Sequence, residues 1–313
     1  MAIPTVDLSD FLSTNPVRKK EFVQQLGQAY GEVGFVAVKN HGISDGLIED
    51  LYKHVQQFFS LPLEQKRKYE IGELAGQRGY TSFGTEHAKG SDAPDLKEFF
   101  QYGQVAKNQF LEKLYPPNVQ VNQVKFFNKT FEGAYRAFEI SATSLLQAIA
   151  LYLQLDEFYF DEFISNGNSI LRAIHYPPIT HEPKTSVRAE QHEDINLITL
   201  LVGASADGLE ILTKEQVWVP VTSLPEQIVF NVGDMLQRLT NNKLRSTTLR
   251  VVNPDRSLWH TSRFSIPFFL HPNAGMSLAC LEGCIDAANP KSYSDATAGE
   301  YLDERLWEIG LKK

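Results

Sequence analysis

Seven short runs of apolar or alternating residues crowd the second half of the chain, at 169–175, 195–202, 209–212, 216–221, 227–231, 246–252 and 262–270. Turn-forming residues separate several of them, notably Ala206-Asp207-Gly208 and Asn253-Pro254-Asp255. Short strands at this spacing favour a closed or sandwiched β architecture over alternating βαβ units. The expected core is therefore β-rich and spans 168–271.

The preceding part reads differently. Residues 17–30 carry Phe22, Leu26 and Tyr30 at four-residue intervals, and 46–58 carry Leu47, Leu51, Val55 and Phe58. Each pattern gives one apolar helical face. A longer stripe over 121–153 (Phe127, Phe131, Tyr135, Phe138, Leu145, Ile149, Leu153) predicts a bracing helix. Strand candidates lie at Ile3–Leu8 and Phe35–Val38, the latter closed by Asn40-His41-Gly42. Residues 71–96, rich in glycine and charge, read as a long loop or cover. The expected organisation is an N-terminal helical and strand region (1–120), bracing helices (121–167), the β core (168–271) and a C-terminal extension packed on that core (272–313). The stretch TAGEYLDERLWEIGLKK reads as a final amphipathic helix.

Composition excludes several partners. Asp and Glu (38) outnumber Lys and Arg (30), a net charge of −8, so the positive footprint that nucleic acid requires is missing. No run of 18 apolar residues suggests a membrane span, and the opening MAIPTVDLSDF lacks the apolar core of a signal peptide. The two cysteines, Cys280 and Cys284, make neither a disulfide framework nor a complete metal site. These features suit a cytoplasmic protein, monomeric or weakly homodimeric.

The sharpest local signal is Gln191-His192-Glu193-Asp194, entering an apolar run. In an extended segment His192 and Asp194 share a face, with α-carbons about 6.6–6.8 Å apart, and Glu193 faces away. An imidazole nitrogen and a carboxylate oxygen so placed can grip a divalent metal, completed by a ligand from another strand. A surface His beside a surface Asp gives the same spacing. Arg263-Phe264-Ser265 puts a guanidinium fork and a hydroxyl on one face, suited to a carboxylate; a strand-edge ion pair is the alternative. Tyr176 in HYPP offers a phenol to the same anion, or is a plain rim tyrosine.

Taken in order, IPTVDL, GFVAVKNHGI, FFSLPLEQK, RGYTSFG, LKEFFQYG, LRAIHYPP, HEDINLITLL, DGLEI, VFNVGDMLQRLTNNKLRSTTLRVV and RFSIPFF span nearly the whole chain. The series resembles the isopenicillin N synthase-like branch of the Fe(II)- and 2-oxoglutarate-dependent oxygenases. The resemblance implies a distorted double-stranded β-helix, or jelly roll, with an α-rich N-terminal part. It makes His192 and Asp194 iron ligands. It makes Arg263 and Ser265 the clamp on the distal carboxylate of 2-oxoglutarate, assisted by Tyr176. The implied reaction is hydroxylation or desaturation of a small organic metabolite by dioxygen, with no catalytic group beyond the metal site.

One residue departs from the pattern. The family's second iron histidine precedes Arg-Val, and here that place is Leu249, ahead of Arg250-Val251. An isobutyl group has no lone pair to donate. Three readings stand open at this level: loss of iron-dependent turnover with ligand binding retained, a weakened metal site completed by co-substrate and water, or a working enzyme line. In the last, Leu249 is peculiar to this chain or another residue supplies the third ligand. His260, three residues before Arg263, is the foremost replacement candidate; His175 is the next, and His87 could reach the pocket mouth as a substrate contact.

Overall fold

A computed structural model describes residues 3–308, apart from 75, 87–93, 106–112, 184, 204–206, 223 and 225. His87 and Ala206 lie outside the described residues. Among the described residues, twelve strands form two sheets. They are β1 (Thr5–Asp7), β2 (Phe35–Lys39), β3 (Gly79–Thr81), β4 (Glu98–Gly103), β5 (Ile170–Tyr176) and β6 (Ala189–His192), followed by β7 (Ile198–Val202), β8 (Leu209–Leu212), β9 (Trp218–Pro220), β10 (Ile228–Val232), β11 (Leu249–Val251) and β12 (Arg263–Leu270). The large sheet has the order β1-β2-β10-β7-β12-β5-β4-β3, the small one β6-β11-β8-β9. Apart from the parallel β1–β2 pair, the ladders are antiparallel. The architecture is a distorted jelly roll with an α-rich N-terminal part.

The strands of the large sheet are buried on both faces, which explains their near-continuous apolar sequences. Val36 and Val38 of β2, Leu171 and Ala173 of β5, Ile198 and Leu200 of β7, and Ile266, Phe268 and Leu270 of β12 pack with the helices. The alternate residues Phe35, Ala37, Ile174, Tyr176 and Val229 meet Ala189, Leu209, Ile211, Leu249 and Val251 of the small sheet. Side chains that alternate across a strand thus serve two cores.

Helices Pro16–Glu32, Asp45–Phe59 and Phe127–Tyr152 cover the outer face of the large sheet. Asn15 caps the first, its side-chain oxygen accepting from Val17 and Arg18 N–H. The third is shorter than its apolar stripe predicts. Phe126 takes a left-handed conformation (φ 65°), and the Asn128 amide holds Val121 N–H and C=O in a loop ahead of the helix. Phe127 and Phe131 stack at 4.3 Å, and Tyr135 meets Phe268 of β12 edge-on at 5.1 Å. Each fully buried aromatic is worth about 1.5–3 kcal/mol of transfer free energy, so this seam fixes the back of the barrel.

Three local expectations need correction. The segment 71–96 contains a 3-10 turn (Gly72–Leu74) and β3, which pairs with β4. The run 195–202 is strand only from Ile198 onward, because residues 195–197 bend between the sheets. Their backbone groups are satisfied elsewhere: Met235 N–H donates to Asn196 C=O and Gly233 N–H to Leu197 C=O. Polar β6 lay outside the seven apolar runs. The C-terminal helix, Ala298–Glu308, is held to its own chain where Tyr301 donates to Asp234 (2.9 Å) and Arg305 pairs with it (3.5 Å).

Candidate active site

A cavity of about 80 Å³ lies between the two sheets, and His192, Asp194, Leu249, Tyr176, Arg263 and Ser265 all line it. Four strand ends and one connecting segment deliver them. His192 ends β6, Leu249 opens β11, Arg263 and Ser265 open β12 and Tyr176 closes β5. Asp194 follows β6 in the crossing between the sheets.

The two expected ligands converge. His192 Nε2 lies 3.8 Å from Asp194 Oδ1, too long for a hydrogen bond. His192 Nδ1 is 2.7 Å from the Glu190 carbonyl oxygen, to which only a protonated Nδ1 can donate, so the neutral ring presents the Nε2 lone pair. Asp194 Oδ2 accepts from Thr199 Oγ1 (2.7 Å) and Asn231 Nδ2 (2.8 Å), leaving Oδ1 directed at His192. This outer layer of contacts is what orients metal-binding His and carboxylate groups. Glu193 turns away and meets Thr248 (3.4 Å).

The third place is apolar. Leu249 pairs with His192 across the β6–β11 ladder and is buried. Among the described residues, no three His, Cys, Asp or Glu side chains are grouped to hold a metal. His260 does not replace the missing ligand: it is exposed on the 256–262 loop and absent from the cavity wall. His175 also points elsewhere, its Nδ1 2.7 Å from Glu98 and its ring stacked on Phe264. The donor set therefore fits Fe(II) only in part, with two candidate ligands, His192 and Asp194, and a hydrocarbon at the expected third position.

The three residues expected to hold an anion, Tyr176, Arg263 and Ser265, line the cavity together. Arg263 and Tyr176 are cross-strand partners, and the Arg263 guanidinium carbon stands 5.0 Å from the Tyr176 ring. Arg263 Nε donates to the Asp207 carbonyl (3.2 Å), which fixes the plane of the fork. Arg188, fully buried, places a second guanidinium 5.9 Å from the same ring. Burial, with Arg263 acting in the same sense, lowers its pKa to about 10.

Several residues in and around this cavity carry no mark in the sequence analysis. Thr199 and Asn231 face inward beside Asp194, and Lys97 and Arg172 line the cavity. Arg172 was findable, because strand alternation along LRAIHYPP puts 172, 174 and 176 on one face. Arg188, Lys97 and Glu86 carried no local signal, since their neighbours come from distant segments.

Comparisons with known proteins agree with this geometry. Residues 3–123 match the non-haem dioxygenase in morphine synthesis N-terminal family, and residues 167–272 match the 2OG-Fe(II) oxygenase superfamily. Proline hydroxylase buaE of Petromyces alliaceus is 34% identical over 320 residues, covering 98% of this chain and 99% of that protein. A 2OG-Fe(II) oxygenase family protein from Caulobacter crescentus, known by crystal structure, superposes with a TM-score of 0.88 at 37% identity over 98% of this chain and 99% of its own. A Neurospora crassa protein crystallised with alpha-KG gives 0.86 at 30% identity, over 97% and 95%. Sequence, fold and cavity lead to one conclusion: the chain belongs to the Fe(II)- and 2-oxoglutarate-dependent oxygenase superfamily.

Proposed function

We propose that this protein binds 2-oxoglutarate, or a dicarboxylate of the same reach, inside its barrel without the efficient turnover of its family. The observation that carries this reading is Leu249 facing His192 in the place of a lone-pair donor. In the proposal Arg263 and Ser265 hold the distal carboxylate, and Tyr176 walls the same end. His192 and Asp194 are left as a two-point metal attachment, weaker than the usual three. Iron, when bound, supplies the oxidising chemistry of the family; the protein's own part is to orient the co-substrate and exclude bulk water. The isopenicillin N synthase-like branch belongs to this reading, on the ordered motifs from IPTVDL to RFSIPFF, as do a small organic substrate, dioxygen, and a cytoplasmic monomer or weak homodimer.

A second reading, retained hydroxylation or desaturation, draws on one observation. The contacts from Glu190 to His192, and from Thr199 and Asn231 to Asp194, still aim both candidate ligands at one point. Anaerobic titration of the protein with 2-oxoglutarate, with and without Fe(II), followed by exposure to dioxygen, separates the two. Binding without succinate supports the first reading. Succinate at rates normal for an oxygenase supports the second. Absence of binding refutes the first.

A further inference from the structure

The cavity carries cationic groups at both ends. Arg172, Ile174 and Tyr176 form the inward row of β5, and Tyr176 pairs with Arg263 of β12. Arg172 therefore stands four residues from the Arg263 end on the same face, roughly 13 Å along the strand. With 2-oxoglutarate assigned to Arg263, the Arg172 end is left for the substrate, a division of the cavity that rests on the proposed co-substrate binding.

Arg172 is built as a rigid fork. Its guanidinium carbon is 4.2 Å from the Phe99 ring and 5.5 Å from Phe269, and Nε donates to Gln101 Oε1 at 3.0 Å. Lys97 lies beside it, with Nζ 2.8 Å from Asp95 Oδ2. Asp95 belongs to the frame, because its Oδ1 accepts from Glu190 N–H (3.0 Å). The remaining anion, Glu86, reaches in from outside the barrel strands. Its carboxylate meets Lys97 at 2.6 Å and Arg172 Nη1 at 3.3 Å from both oxygens. The arginine contacts are long for charge-assisted bonds, which run at about 2.7–2.9 Å. Arg172 is thus only loosely engaged by Glu86. Burial pushes the Glu86 pKa up, but Arg172 and Lys97 outweigh it and hold the carboxyl at about 2. Lys97 and Arg172 line the same cavity as His192 and Asp194, so this end adjoins the two candidate ligands.

We propose that Lys97 and Arg172 form a second anion subsite, which takes the carboxylate of an acidic small-molecule substrate, and that Glu86 is the protein's own stand-in for that group. Phe35, Ile174, Leu201 and Phe269 supply an apolar wall for the rest of the molecule. The substrate class is a carboxylic acid on an apolar body.

Calorimetric titration with phenylacetate and 3-phenylpropanoate, each against its neutral amide, tests this in the presence of saturating 2-oxoglutarate. Glu86→Gln should bind at least one acid about tenfold or more tighter than the wild type, with the amides unmoved. Arg172→Gln added to Glu86→Gln should erase that gain, and Arg172→Lys should keep part of it, which guards against a variant that merely misfolds. An unchanged acid-to-amide preference in Glu86→Gln, a gain that survives Arg172→Gln, or no binding of either acid overturns the subsite. Titration with 2-oxoglutarate alone reads the Arg263 end separately. Failure there, with the acids behaving as expected, overturns the co-substrate assignment and leaves the anion subsite standing.

Discussion

Leu249 faces His192 as its direct cross-strand partner, at the end of β6 and the start of β11. Opposed residues on antiparallel strands have α-carbons about 4.5–5.5 Å apart, so a side chain at 249 shares the small volume that His192 and Asp194 point into. A lone-pair donor there would complete a three-ligand face. Leu249→His should raise Fe(II) retention on gel filtration at least tenfold and increase succinate release from 2-oxoglutarate. Equal metal content and equal succinate in both proteins would contradict the placement of this residue.

Arg263 is buried at the other side of the cavity, and its fork is fixed by Asp207 and Tyr176. Hydrogen bonds to charged groups contribute about 1.5–3 kcal/mol each. Arg263→Gln should weaken 2-oxoglutarate binding by roughly ten- to a hundredfold, and Arg263→Lys should recover little, because a point charge does not replace a planar fork. Calorimetry decides it, with a melting curve to show that each variant folds.

Burial raises the Asp234 pKa from 3.8 to about 7, Glu193 and Asp194 push the same way, and the Tyr301 hydroxyl and Arg305 oppose them. A carboxyl raised in the folded state stabilises fully below its unfolded pKa, and that contribution is lost as pH rises through the folded one. Asp234→Asn should therefore gain stability relative to the wild type between pH 4 and pH 8, by about 4 kcal/mol at most. Chemical denaturation at both pH values measures it. A difference that stays flat with pH would exclude a neutral Asp234.

Gly233 is packed against the crossing that presents Asp194. A β-carbon there would come within 2.1 Å of Asn196 Oδ1 and 2.2 Å of its carbonyl oxygen. Asn196 in turn donates to Thr199, which donates to Asp194. Gly233→Ala should cost about 1–3 kcal/mol, the usual penalty of overpacking, and should also reduce metal binding in the Leu249→His background. Destabilisation with unchanged metal affinity would show that the crossing does not position Asp194.

Much of the framework was legible because its signals are local. The four-residue spacing of Phe22, Leu26 and Tyr30 marks a helix whatever it packs against, and RFSIPFFL is strand from its first residue to its last. The inward set Tyr176, Arg263 and Ser265 follows from alternation. The bend at 195–197 was not legible, because an apolar run looks the same whether its backbone bonds lie in a ladder or at the start of the helix Asp234–Leu239. Polar β6 was hidden for a similar reason, its partners being 50 or more residues away.

The order of motifs along the chain, the apolar periods and the missing imidazole at 249 are written in the sequence itself. Each depends on residue type and on neighbours a few positions away. The register that sets Leu249 opposite His192, and the meeting of Glu86 with Lys97 and Arg172, belong to the tertiary structure alone. They join segments far apart in the chain, and the charges balance only where two sheets exclude the water that would otherwise screen them.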